Sequence, residues 1–317
     1  MMTSLAEHTS AHLPGIVVDD QLCPTIRVQH RWRFAMNNQL PECFRSLDDQ
    51  QWLDILIRSI EEREIDGVKF PGFPDQAVQT SFVGSANEPT LREAFNFYCL
   101  IKDYAAALGM PIGEDRRFVD FGMGWGRFLR FFWKDVNVSN LYGCDVDPDI
   151  IQTARDLGVP GNLDRLHAFG KLPYPDGFLH GGMAYSVFTH LPEQVHRHWL
   201  LELARVMQSG AVFSFTVEPR RFFDFIESVP DETSNHWHWA LHAHAAGADD
   251  FRTSYDRGEF VYIPSGGGGD FRGPEVYGEA IVPLSYIETN WAPYFAIRAH
   301  IDDPNRFWQA VVVVQRI

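Results

Sequence analysis

Residues 118–132 read FVDFGMGWGRFLRFF. A short apolar run, Phe118 to Phe121, carries one acid, Asp120, and breaks into glycines at 122, 124 and 126 before a helical pattern resumes. Glycines spaced on alternate positions occur where the backbone must come close to a ligand. Which ligand this loop holds decides the fold. A P-loop needs a Gly-Lys-Ser/Thr ending, and here Gly126 is followed by Arg127-Phe128, which removes that option. A dinucleotide loop, G-x-G-x-x-G, puts its third glycine where Arg127 stands, at a position of close helix–strand packing. A nicotinamide dinucleotide therefore fits poorly.

Outward from the loop, strand and helix alternate. Strands are predicted over 118–121, 141–146, 166–169 (the weakest), 181–188 and 211–217, and helices over 125–134, 148–157 and 192–207. Repeated strand–helix units with apolar strands specify a parallel sheet covered on both faces. Two further strands, 294–301 and 309–315, are too close in sequence for a helical crossover and form an antiparallel hairpin. The fold class is thus α/β, a Rossmann-like doubly wound and mostly parallel sheet ending in that hairpin. Before it, residues 1–88 read as an arm plus a helical extension. Ser46 is expected to cap a helix with Leu53, Leu56, Ile57 and Ile60 on one face, and Thr90 with Glu93 to form a capping box on the next. Residues 89–317 make the main domain, interrupted at 219–280 by an insert of weaker regularity. Its run SGGGGD at 265–270 has little side chain to pack and is expected to be mobile.

Four features point to S-adenosylmethionine as the ligand. Asp120 ends the first strand, where a carboxylate can meet the ligand's ammonium group directly or through water; capping of the following helix is the lesser alternative. Asp145 ends the next strand in GCDVD, where an acid can accept both ribose hydroxyls. SVFTHLPE follows the fourth strand, and the antiparallel hairpin closes the chain. In open α/β sheets ligands sit beyond the carboxyl ends of the strands, where Gly122, Asp145 and Ser186 fall.

In combination, VDFGMGWGR, GCDVD, LPYPDGFLHGGMAYSVFTHL and LLELARVMQSGAVFSFTV resemble the successive motifs of the class I S-adenosylmethionine-dependent methyltransferases. More loosely, FVGSANEPTLREAFNFY with VDFGMGWGR is similar to bacterial enzymes that methylate sugars and small molecules. The resemblance implies S-adenosyl-L-methionine as cofactor, held by Asp120, Gly122, Met123, Gly124, Asp145, Val146 and Ser186. After the third strand His167-Ala168-Phe169 stands where relatives often place an acid for the adenine amino group, so backbone groups and Phe169 are the adenine candidates.

The chain has 317 residues and a net charge of −15, from 42 acids against 27 bases. Such a chain repels phosphate backbones and anionic lipid, which argues against nucleic acid and membrane partners. No run approaches the roughly 18 apolar residues of a membrane span, residues 1–20 lack a secretory signal pattern, and the four cysteines show no metal spacing. A cytoplasmic protein with reduced thiols is expected, and Cys144 reads as a buried strand residue.

The acceptor is expected to be a small molecule or a glycan, most simply a hydroxyl. Ser186-Val187-Phe188-Thr189 replaces the Asn/Asp-Pro-Pro-aromatic block of many amino-methylating enzymes. Deprotonating a hydroxyl needs a base; His190, just past the fourth strand, is one candidate, with a structural histidine as the alternative. His238 is another, in NHWHWALHAHAAGADD at 235–250. His238 and His242 share a helical face that could hold zinc, but no third ligand is at hand, so no metal is expected. The insert, with Phe82 to Gly84, is expected to close over the methyl group and build the acceptor pocket. N- or C-methylation of a metabolite, a nicotinamide-dependent oxidoreductase and a non-catalytic S-adenosylmethionine binder are the alternatives.

Overall fold

A computed structural model describes residues 39–231, 236–265 and 271–317. The arm before residue 39 and the glycine run at 266–270 lie outside the described residues, as does the side chain of His236.

The described residues open with a one-turn helix α1 (Glu42–Arg45) and helix α2 (Asp49–Arg58). Asp48, not Ser46, caps α2: Gln51 N donates to Asp48 Oδ1 (2.8 Å) while Asp48 N donates to Gln51 Oε1 (3.0 Å). The reciprocal pair satisfies two donors that a lone Ser46 would leave bare. A small hairpin, β1 (Glu64–Ile65) and β2 (Val68–Lys69), turns through Asp66 and Gly67 at φ 49° and 78°. Asp-Gly is the natural pair for such a turn. Next come α3 (Gln76–Val83) and the long α4 (Glu88–Ala107). Helix α4 begins two residues before the expected cap, with Pro89 in its first turn, where a missing N–H costs nothing. Thr90 is fully buried, and its carbonyl accepts from Arg127 (3.1 Å).

The main sheet is built from β3 (Phe118–Phe121), α5 (Arg127–Phe132), β4 (Leu141–Asp145), α6 (Pro148–Asp156), β5 (Asn162–Arg165), β6 (Leu179–Ala184), α7 (Glu193–Val206) and β7 (Met207–Val217). The insert follows as α8 (Phe222–Ser228), α9 (His236–His242), α10 (Ala248–Asp256), β8 (Val261–Ile263) and β9 (Glu279–Ile281). Helix α11 (Leu284–Trp291) leads to β10 (Phe295–Ile301) and β11 (Ala310–Arg316). The seven strands lie in the order β10-β11-β7-β6-β3-β4-β5, with β3 to β7 parallel to their neighbours and β11 antiparallel to both β7 and β10. Both faces are covered: along β11, Val311 and Val313 join one core cluster while Val312 and Val314 join the other. Period-two alternation, apolar on both sides, is what a sandwiched strand requires.

Three readings change. The third strand is Asn162–Arg165, not 166–169: it is an edge strand burying only Leu163, so its sequence is mostly polar. The fourth strand stops at Ala184 because Ser186 takes φ 57°, incompatible with extended pairing. The insert is more ordered than its sequence suggests, with its own core of Phe222, Phe223, Ile226, Leu241, Ile263 and Ile281. The N-terminal extension shares a core with the sheet: Trp52 is fully buried and donates to Phe131 O (3.0 Å). No described helix is long and apolar enough to cross a membrane.

Because β3 pairs β4 on one side and β6 on the other, both in parallel, the order in which strands are added to the sheet reverses at β3. The crevice beyond the carboxyl ends at such a switch point is where α/β sheets hold ligands.

Candidate functional site

The glycine loop leaves β3 with Gly122, Gly124 and Gly126 at φ 78°, 52° and 80°. A Cβ on Gly122 would lie 2.3 Å from Val187 Cγ2, and one on Gly126 2.4 Å from Val159 Cγ1. Left-handed backbone and lack of room thus both demand glycine at these two positions. Gly122 N and Met123 N donate to Cys144 O at 2.8 and 3.0 Å, pinning the loop to the end of β4.

Asp145 braces the same loop. Its Oδ2 accepts from Gly124 N (2.9 Å) and its Oδ1 from Asp147 N (3.0 Å). Each carboxylate oxygen keeps a second lone pair, so ribose hydroxyls can add to these bonds rather than replace them. Burial raises the Asp145 pKa, and the two backbone N–H groups oppose the rise. Asp120 lies deeper: it is almost fully buried, and its Oδ2 accepts no hydrogen bond. Burial, reinforced by the charge of Asp145 and opposed by Arg127, pushes Asp120 up to about 8. Arg127 itself is buried, pairing Glu93 (3.0 Å) as well as the Thr90 carbonyl.

One cavity collects most of the predicted cofactor residues: Gly122, Met123, Gly124, Asp145, Val146 and Ser186 line it, with Leu166, Ala168 and His190. Asp120 sits behind the loop rather than on the wall, and Phe169 is not among the lining residues. Phe169 is half-exposed and edge-on to His198 (5.8 Å), whereas its neighbours Leu166 and Ala168 line the cavity. The cavity suits an adenosyl sulfonium: a tight glycine cradle and an acid at the end of β4.

Two distant segments close over it. From α3 come Ser81, Phe82 and Val83; from the insert come Phe271, Arg272, Val276 and Tyr277. Arg272 reaches Asp147 Oδ2 (2.9 Å) and stands 5.1 Å over the Phe82 ring. The expected cover by the insert and residues 82–84 is therefore seen in part, through Phe82 and Val83, but with the strap 271–277 in place of the His/Trp helix. His238 lies off this cavity, 6.3 Å from the Phe225 ring, and Trp237 Nε1 donates to Glu279 Oε1 (2.8 Å). Among the described residues no cluster of three or more His, Cys, Asp or Glu is placed to hold a metal.

His190 is held from the strap. Tyr277 stacks on its ring (4.4 Å, 14°), its Nδ1 lies 2.9 Å from Gly278 O and 3.6 Å from Glu279 Oε2, and its Nε2 lies 3.4 Å from Ser186 Oγ. Burial, opposed by the Gly278 carbonyl and aided by Arg272, lowers its pKa to about 4. Ser186 links onward: Gln309 Nε2 donates to Ser186 Oγ and to Glu218 Oε1, both at 2.9 Å. Sequence reading missed Arg272, Tyr277, Glu279, Gln309 and Glu218. Glu218 alone left a signal, an acid immediately after an apolar strand, the same sign that marked Asp145.

Residues 119–215 match the family described as a methyltransferase domain. No curated protein matches the chain significantly. Among solved structures, a protein of Pyrococcus horikoshii OT3 superposes with a TM-score of 0.50 at 14% identity, covering 77% of this chain and 100% of its own. An S-adenosylmethionine-dependent methyltransferase of Clostridium acetobutylicum has a TM-score of 0.47 at 10% identity, over 71% of this chain and 91% of its own. A magnesium protoporphyrin IX methyltransferase of Synechocystis, solved with bound S-adenosylhomocysteine, has a TM-score of 0.45 at 12% identity, over 73% and 87%. The methyltransferase-domain match thus begins on β3 and ends on β7, over a sheet in which the last strand runs antiparallel beside the fifth.

Proposed function

We propose that the enzyme methylates a hydroxyl of a small molecule or glycan, with His190 as the base. One observation carries the reading. The Gly278 carbonyl can only accept, so His190 Nδ1 holds the proton and the Nε2 lone pair faces the cavity beside Ser186. Bound S-adenosylmethionine supplies an electrophilic methyl: the C–O bond forms as the C–S bond breaks, and sulfur keeps that electron pair as a neutral thioether. His190 Nε2 takes the hydroxyl proton. Glu279, 3.6 Å from Nδ1 and pushed well above the ordinary carboxylate range by burial, is a positioning residue for the ring. Tyr277 and the strap exclude water, and Asp145 with the glycine loop fixes the donor, since alignment supplies much of such a rate enhancement. The net charge of −15 supports an acceptor other than nucleic acid.

Incubation with methyl-labelled cofactor and a metabolite or glycan extract, followed by isolation of the labelled product, identifies the acceptor. On that acceptor His190→Asn should lower kcat about 10²–10⁴-fold while S-adenosylhomocysteine binds as before. The acid limb of the wild-type kcat profile should fall well below the ordinary histidine value of about 6.5. A labelled amine or carbon, or an unchanged kcat in His190→Asn, refutes the reading.

A further inference from the structure

A second opening lies beyond the end of β7, on the far side of Ser186 from the glycine loop. This groove of about 320 Å³ is lined by Glu218, Arg221, Phe222, Phe225, Ser228 and Trp308, among others. Its chemistry is unusual in two ways. Glu218 is 3% exposed, and its Oε2 has no hydrogen-bond partner, although Oε1 accepts from Gln309. Gln309 Oε1 is likewise buried without a donor. Buried polar atoms in folded proteins are almost always paired, and leaving one bare costs on the order of 1–3 kcal/mol. Of the two, Glu218 reaches the groove wall, and its bare carboxyl oxygen marks a place where a ligand's polar group arrives.

The walls are aromatic. Trp308 is 54% exposed and stands edge-to-face with Phe225 (5.2 Å, 87°). Arg221 holds the Trp308 loop by donating to the Phe307 and Trp308 carbonyls and pairing Asp302. A half-exposed indole kept in place by an arginine is a preformed flat surface, and aromatic faces pack well on the faces of rings.

We infer that this groove binds the acceptor as a ring carrying two adjacent hydroxyls, its face on Trp308 and its hydroxyls on the Glu218 carboxyl, which Gln309 holds in place. The inference deepens, and rests on, the reading of hydroxyl methylation. Ser186 joins the two parts: its Oγ meets His190 Nε2 on one side and Gln309 Nε2 on the other. Through Gln309 and Ser186 the Glu218 carboxyl is thus tied to the candidate base His190. The two carboxyl oxygens of Glu218 can meet both hydroxyls of an adjacent pair, whereas a single hydroxyl leaves Oε1 or Oε2 without a ligand partner.

The test is ligand-observed saturation-transfer NMR on the full chain with saturating S-adenosylhomocysteine. The probes are methyl glycosides of mannose, galactose and glucose together with catechol; cyclohexanol and phenol serve as single-hydroxyl controls. The expected result is binding of adjacent-diol rings at least tenfold tighter than the controls, and a tenfold loss in both Glu218→Gln and Trp308→Ala. Trp308 is half-exposed, so its variant tests the groove even if the buried Glu218 variant fails to fold. Preference for the glycosides or for catechol tells a sugar source from an aromatic one, and either supports the inference. Equal binding of diols and single-hydroxyl rings overturns it, as does undiminished binding in Trp308→Ala, or no ring binding by a protein that binds S-adenosylhomocysteine. If His190→Asn keeps full activity while diol rings still bind through Trp308, the base assignment fails and the groove stands.

Discussion

Asp120 and Asp145 occupy the ends of neighbouring parallel strands, yet their surroundings divide their work. Asp145 has two backbone N–H partners and reaches the cavity wall; Asp120 has a bare oxygen behind the loop and is pushed up to about 8. At pH 7 Asp120 is therefore mostly protonated. S-adenosylmethionine brings an ammonium and a sulfonium to the other side of the loop, and nearby positive charge favours the ionised acid. Binding should expel a proton into solution, and S-adenosylhomocysteine, which lacks the sulfonium, should expel less. Calorimetry at pH 7 in two buffers of different ionisation enthalpy measures this directly. Equal, buffer-independent heats for both ligands would show that Asp120 does not sense them.

The glycine loop shows what a connecting element can impose on its neighbours. Gly122 is fixed by its positive φ and by the approach of Val187, whereas Gly158, which follows α6 at φ 77°, has nothing within 4 Å of where a Cβ would stand. The left-handed conformation alone costs a non-glycine residue roughly 1–2 kcal/mol. Gly158→Ala should lose about that much in urea unfolding and leave S-adenosylhomocysteine affinity unchanged. Gly122→Ala should lose clearly more and also weaken the ligand at least tenfold, because Val187 or the loop must move. Equal losses in the two variants would mean that the loop gives way without strain. The alternate spacing of the glycines was legible in the sequence; the contact that makes Gly122 indispensable was not, since Val187 arrives from the loop after β6, 65 residues away by sequence number.

Across the whole molecule, buried ionisable groups set how stability follows pH. Asp120 and Glu218 both titrate near 8 when folded, against ordinary carboxylate values near 4, mainly because burial penalises their charged forms. Between those values the folded chain holds more protons than the unfolded one, so these groups make stability fall as pH rises. His190 and His196, lowered by burial to about 4 and about 3, act oppositely, but only below the unfolded value near 6.5. From pH 6.5 to 8 the acids act unopposed by these histidines. Unfolding free energy should drop over that interval by roughly 2 kcal/mol for each acid. Urea titrations at pH 6.5 and 8 should show the slope reduced in Asp120→Asn and again in Asp120→Asn with Glu218→Gln. A slope indifferent to both substitutions would place its origin elsewhere.

The sequence by itself determined the alternating core of the fold, the glycine loop and the acid at the end of β4. These depend on local spacing: period-two strands, glycines that permit left-handed backbone, and an acid directly after an apolar run. It misplaced the cap at Ser46 and the third strand, where a reciprocal side-chain bond and an exposed sheet edge outweighed simple pattern. It also could not tell that Phe169 turns outward while the strap from 271 to 277 turns in, or that Glu218 and Gln309 meet Ser186. Those placements are long-range. Asp147 and Arg272 are 125 positions apart and Ser186 and Gln309 are 123 apart, and nothing in either local stretch encodes its partner. Only the sheet order, which lays β11 antiparallel beside β7, brings Gln309 to the same end as Glu218. Strand pairing is a choice among non-local contacts, so the tertiary structure alone decided which buried oxygens would be left without a donor.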